Sequence, residues 1–159
     1  MEVVSNAIVI GGEKFLLSVV RDITDRKRVE REAERQASLL DLASEPIFAW
    51  HLDGGITYWN KGAERLYGFT RSEALGKISH LLLKTSHPRS VSAFLETLRN
   101  EHIWKGELRH TTKAGQEVVV ESRHQVLEEP DGGLLVLECN RDITERKRVE
   151  DSLRRSEER

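Results

Sequence analysis

Cysteine is almost absent from this 159-residue chain: Cys139 stands alone, so no disulfide can form within it. Long apolar runs are missing too, and none approaches the ~20 residues that cross a bilayer as a helix. The N-terminus, MEVVSNAIVIGGEK, lacks the basic start and cleavage pattern of a secretory signal. The default expectation is therefore a cytoplasmic protein without a membrane partner. An excess of one charge sign is also absent. Lys and Arg number 25 against 27 Asp and Glu, a net charge of −2, and no global field argues for nucleic acid. No spacing of His, Cys and Asp repeats as a metal-ligand cluster does. Glycine and proline are missing from 21–45, which leaves nothing there to interrupt a helix.

What is present is a repeat. RDITDRKRVE at 21–30 returns as RDITERKRVE at 141–150, with only Asp25 changed, to Glu145. A period of 120 residues is too long for a solenoid and suits a whole domain. Each copy follows a short Leu/Val-rich run after a turn signal, EKFLLSVV and GGLLVLECN, and each run follows another β-type run, EVVSNAIVI and QEVVVESRHQVL. The decamer thus marks the end of one domain and then the end of a second. On this reading residues 1–21 are the last strands of a preceding, truncated module, and the chain is a piece of a larger protein.

After each strand, Asp-Ile-Thr starts a charged helix. Asp22 and Asp25, and Asp142 and Glu145, are spaced as the N-cap and N3 acid of a capping box. Val29, Ala33, Gln36 or Ala37, Leu40 and Ala43 form one thin apolar stripe. Residues 22–44 read as a coiled-coil connector; the other reading is a solvated single helix between domains.

Residues 45–144 make one complete unit. EPIFAWHLDGGITYWN gives two β-type runs around Asp53-Gly54-Gly55. NKGAERLYGFTRSEALGK gives short helices, with Thr70 to Glu73 as a capping box and Gly76 closing a turn. A longer helix is expected from His87-Pro88, with Val91, Phe94, Leu95 and Leu98 on one apolar face. Three strands follow, with turns at Lys113-Ala114-Gly115 and Glu129-Pro130-Asp131-Gly132-Gly133. The order β-β-α-α-α-β-β-β implies an α+β fold: one antiparallel sheet with helices on one face.

The chain resembles PAS domains (PAS/PAC, or S-box, sensory modules). The matching residues are Asp53-Gly54, Ile56-Thr57-Tyr58-Trp59-Asn60, Ala63-Glu64, Leu66-Tyr67-Gly68-Phe69, Glu73-Ala74-Leu75-Gly76 and Asp142-Ile143-Thr144. It looks most like the PAS modules of bacterial multidomain sensor histidine kinases. The resemblance implies a five-stranded antiparallel sheet in order 2-1-5-4-3 and signalling through a helix, here 145–159, that leaves the last strand. Asp142, Ile143 and Thr144, with Asp22, Ile23 and Thr24 in the first copy, are then signal junctions. The implied partners are adjacent PAS and kinase domains of the parent and a second copy, paired through the flanking helices.

The chemistry points away from catalysis. No His lies on a long helical-bundle pattern, no Gly-rich nucleotide box exists, and Gly-Gly-Asp/Glu-Glu-Phe is absent. Cys139 in a central strand reads as a packing residue rather than a nucleophile. Cys139-Asn140-Arg141 is not the Asn-Cys-Arg helix motif of flavin-binding LOV domains, so flavin is not expected. Haem would need one His near the long helix: His102 first, then His87, both also readable as surface residues. A small organic ligand would lie between sheet and long helix, lined by Phe94, Leu98, Trp104 and Leu137 with Asn60 as polar contact. The same residues also read as plain core and a helix cap. The expectation is no cofactor. Two functions stay open: a sensory relay, and a ligand-free dimerisation piece.

Overall fold

A computed structural model describes residues Met1–Arg159. The chain divides into two compact units, Met1–Leu39 and Leu40–Arg159. In the first, β1 (Glu2–Ile10) and β2 (Glu13–Arg21) form a hairpin. Its turn is Gly11-Gly12, with φ of 61° and 86°, the paired positive angles that a two-residue hairpin turn needs to match strand twist. Glu2 faces Arg21 and Ser5 faces Ser18, whose hydroxyls are 2.8 Å apart. Every residue of both strands is exposed. The helix α1 (Thr24–Leu42) follows and buries no residue.

In the second unit β3 (Ile47–His51) and β4 (Ile56–Trp59) pair across Asp53-Gly54-Gly55. Then come α2 (Lys61–Tyr67), α3 (Arg71–Ala74), α4 (Ser79–Leu82) and α5 (Val91–Glu101). β5 (Ile103–Thr111), β6 (Glu117–Glu128), β7 (Leu134–Asp142) and α6 (Thr144–Glu157) complete the chain. The strands form one antiparallel sheet in the order β4-β3-β7-β6-β5. Counted within this unit, that is the expected 2-1-5-4-3 order. Phe48, Trp59, Tyr67, Leu83, Leu98, Leu108, Val120 and Val136 are the centre of the core, each no more than 2% exposed.

Local chemistry sets the helix ends. Thr70 and Glu73 form the expected capping box, and Gly76 sits at φ 77°. Two expectations need correction. The long helix begins at Val91, not at His87-Pro88, because Ser90 Oγ accepts the Ala93 N–H at 3.1 Å. The stretch before it is held extended by a bridge in which Ser86 N–H donates to Arg109 O at 2.9 Å. The acids of the repeat form no capping box either. Asp142 Oδ1 accepts the Thr144 N–H at 2.9 Å, as Asp22 does from Thr24. The cap position of α6 falls to Ile143, whose side chain is buried. The acid therefore stands one residue too early for a box, and caps the first turn from outside.

Candidate functional site

Alternation along a strand decides which side chains face the helices. On β6 these are Val118, Val120, Ser122, His124 and Val126; on β7 they are Val136, Glu138 and Asn140. The apolar face is interrupted by polar residues on adjacent rungs: His124 lies opposite Glu138, and Ser122 opposite Asn140. All four are 3% exposed or less.

They join a continuous network. Glu138 Oε2 accepts from Trp50 Nε1 at 2.9 Å and from His124 Nε2 at 3.0 Å. Glu138 Oε1 accepts from Asn140 Nδ2 at 3.0 Å. The same Asn140 amide donates to the Tyr67 hydroxyl at 2.9 Å. That hydroxyl, accepting there, keeps its own proton for His110 Nδ1 at 2.8 Å, which places the neutral imidazole proton of His110 on Nε2.

Burial alone pushes the Glu138 carboxyl up, but His124, first by charge and then by hydrogen bond, with His110 and Asn140 behind it, brings it down to about 2. Burial also pushes His110 down to about 4 and the Tyr67 phenol well above its usual range. Glu138 is thus an ionised carboxylate inside the core, held by donors from β3, β6 and β7. Any change in its charge acts on three strands together.

The expected lining residues do not all meet. Phe94 and Trp104 line a cleft of about 460 Å³ along α5 with His87, and both rings pack edge-on to His124, at 5.0 and 5.4 Å. Leu98 is fully buried in the core beneath. Leu137 points to the opposite face of the sheet, among Lys105, Arg123 and Gln125, because its parity is opposite to that of Val136 and Glu138. Asn60 has no capacity left for a ligand. Its Oδ1 accepts from Ile47 and Ala63 N–H, and its Nδ2 donates to Leu40 and Glu45 carbonyls. His102 caps α5 in the left-handed region, φ 60°, and is not part of the cleft wall, whereas His87 is. Cys139 is half-buried on the outer face, its thiol pushed up by burial first and by Glu45 and Glu138 next. No group of three or more His, Cys, Asp or Glu is placed to hold a metal ion.

At the far end of β7 the junction residues are tied to β6. Ile143, 4% exposed, donates its N–H to Val119 O at 2.9 Å. Thr144 Oγ1 accepts the Val119 N–H at 3.0 Å. One turn on, Lys147 pairs with Glu107 at 2.9 Å.

A family model described as the PAS fold matches residues 40–148. The chain belongs to the PAS family. Phytochrome B of Sorghum bicolor is 31% identical over 115 residues, covering 71% of this chain and 10% of that protein. Sporulation kinase E of Bacillus subtilis (strain 168) is 24% identical over 155 residues, 90% of this chain and 19% of the kinase. The chain therefore spans a small part of either relative. The crystal structure of the PAS domain of a protein from Colwellia psychrerythraea superposes with a TM-score of 0.61 at 28% identity, covering 72% of this chain and 98% of that one. The second unit is thus a PAS sensory domain, and no helix of the chain is long and apolar enough to cross a membrane.

None of the six residues of the PAS core network, Trp50, Tyr67, His110, His124, Glu138 and Asn140, is among the site residues expected from sequence; Tyr67 enters there only as one of the residues that carry the resemblance. The signal was there in two strands. In VVVESRHQV and LLVLECN, Ser122, His124, Glu138 and Asn140 share the parity of Val118, Val120, Val126 and Val136, so alternation puts them on the same face of the sheet as those valines.

Proposed function

We propose that this PAS module is a signal relay of a two-component sensor kinase, which passes a rearrangement of its sheet through Asp142-Ile143-Thr144 to α6. One observation carries the reading: strand end and helix start share hydrogen bonds. Asp142 caps Thr144, and Thr144 in turn holds Val119 of the neighbouring strand, so β6 and β7 cannot shift without moving the first turn of α6. Because Glu138, Asn140 and Asp142 lie on one strand, a change at the buried carboxylate has a direct mechanical route to the helix. A relay needs two states with different contacts, and this junction supplies contacts that differ if the strands slide. The kinase relative supports the setting. The test is Asp142→Ala in the parent sensor. Loss of stimulus dependence with basal phosphorylation retained is expected; a normal stimulated-to-basal ratio would overturn the role.

The second reading is a ligand-free homodimerisation module. Its support is the apolar surface left open on the flanking helices: Val29 and Leu39 on α1, Val149 and Leu153 on α6, all more than half exposed. Deleting 22–38 would then leave a folded monomer, and a dimer that survives this deletion would sink the helix-mediated pairing. Both readings treat the module as non-catalytic and free of cofactor.

A further inference from the structure

Four of the six histidines lie around the core, and three of them stand in one aromatic row. His80 on α4 is 6.4 Å from His87, His87 is 4.6 Å from Phe94, and Phe94 is 5.0 Å from His124, centroid to centroid. His87 is the weak point of the row, because its Nδ1 is buried and has no hydrogen-bond partner. It belongs to the short segment Leu83–Ser90 between α4 and α5. That segment is fastened to the sheet by two hydrogen bonds, Thr111 N–H to Leu83 O at 2.7 Å and Ser86 N–H to Arg109 O at 2.9 Å. It also contains Lys84 at φ 46°, a left-handed angle that a side chain resists.

We propose that Leu83–Ser90 is an acid-released latch and that the proton is an input of this module: charging His87 and His80 frees the segment from Phe94 and β5. A protonated His87 would bury an N–H with nothing to accept it. The groups around it do not supply the missing partner. Arg89 lies beside it on the segment itself, and Glu96 and Glu101 of α5 line the same cleft. On its other side are Glu107 and Arg109 of β5 with Lys147 and Asp151 of α6. None of these forms an ion pair with His87. Of the groups that act on it from further off, His80 and His124 oppose a second positive charge while Glu138 favours it. Burial, acting first, holds both His87 and His80 below their ordinary 6.5. The closed latch therefore excludes protons that the open one accepts, and acid favours opening. The latch also borders α6, since Ser86, His87 and Pro88 share a cleft of about 410 Å³ with Lys147 and Asp151. A consequence at α6 rests on the relay reading above; the latch itself does not.

The test is amide hydrogen exchange of residues 83–90 in the 159-residue chain at pH 7 and pH 5, corrected for the intrinsic rate. Protection of this segment is expected to fall by more than about twofold from pH 7 to pH 5. The fall should vanish in His80→Gln/His87→Gln. His87→Phe, which keeps the ring against Phe94 and removes the titration, should shrink it and guards against a folding defect in the Gln variant. Protection that stays within twofold between the two pH values, or a fall that persists in both variants, would overturn the latch. If 83–90 opens with acid while α6 stays equally protected, the latch stands and the relay fails.

Discussion

The hairpin β1–β2 and the hairpin β6–β7 are written on one plan. Glu2 faces Arg21 as Glu121 faces Arg141, and each leads into Asp-Ile-Thr with the acid capping the threonine N–H at 2.9 Å. Counting from those ends, Ser5 and Ser18 occupy the rung that His124 and Glu138 occupy in the second hairpin. There the likeness stops. The serines are exposed, while the histidine and glutamate are 2% and 3% exposed. Register and helix start are therefore generic features of the plan, and the polar pair at this rung is where one copy is made different from the other. The pair becomes energetically costly, and informative, only where a core covers it.

The strongest way to break the comparison is to remove one partner. Glu138→Ala leaves the Trp50, His124 and Asn140 donors without their acceptor. A loss of about 3–5 kcal/mol is expected, since breaking a buried pair on one side strands the other. Grafting the serines of the first hairpin, His124→Ser with Glu138→Ser, should recover a large share of that loss. Urea denaturation of the single and double variants checks it; a double variant no more stable than Glu138→Ala would mean that the carboxylate and histidine are not coupled.

Acid gives the next effect in size. His110 sits at about 4 in the fold against an ordinary 6.5, so the unfolded chain binds its proton first. Its contribution is whole above pH 6.5, is lost as pH falls towards about 4, and changes no further below that. The shift amounts to about 3 kcal/mol. Glu138, lowered from 4.5 to about 2, adds a second loss with the same sign across that lower window. The first unit holds no histidine, so amide exchange in β1–β2 should lack the upper step. Denaturation midpoints of the protein and of His110→Gln between pH 7 and 4 decide this: the variant should lose less stability over that range, and equal losses would remove His110 from the account.

The two Asp-Ile-Thr junctions separate the copies more finely. Asp142→Ala removes the cap of α6 and should cost about 1 kcal/mol. It should also loosen the Val119 amide, because Thr144 holds both. Asp22→Ala should disturb only the first turn of α1. Residue-resolved exchange distinguishes them, and an unaffected Val119 in Asp142→Ala would show that the strand and the helix start are not linked there.

Most of the architecture was legible because it is written in local chemistry. The Gly pairs place the turns, Thr70 and Glu73 place a helix start, and the alternation in β6 and β7 places the core face. The boundary of α5 was missed because Pro88 is an acceptable first-turn residue and Ser90 a better cap; only the Ser86 bridge to Arg109 decides between them. The site was missed for a different reason. His, Glu and Asn in a strand are ordinarily solvent-facing, and although their parity matches the core valines, the groups that satisfy them there, Tyr67 from a helix and Trp50 from a third strand, are distant in sequence. Leu137 failed in the opposite sense: an apolar side chain one residue out of phase lands on the other face.

The smallest expected effect completes the contrast. Ser5→Ala and Ser18→Ala break a hydroxyl contact of 2.8 Å, close to the distances in the Glu138 network. Yet each should change stability by less than about 0.5 kcal/mol, because both hydroxyls return to water on losing one another. Equal geometry with unequal consequence isolates burial as the variable. If instead the serine variants destabilise by more than about 1 kcal/mol, the hairpin face is covered in solution, and the two copies are alike in burial as well as in register.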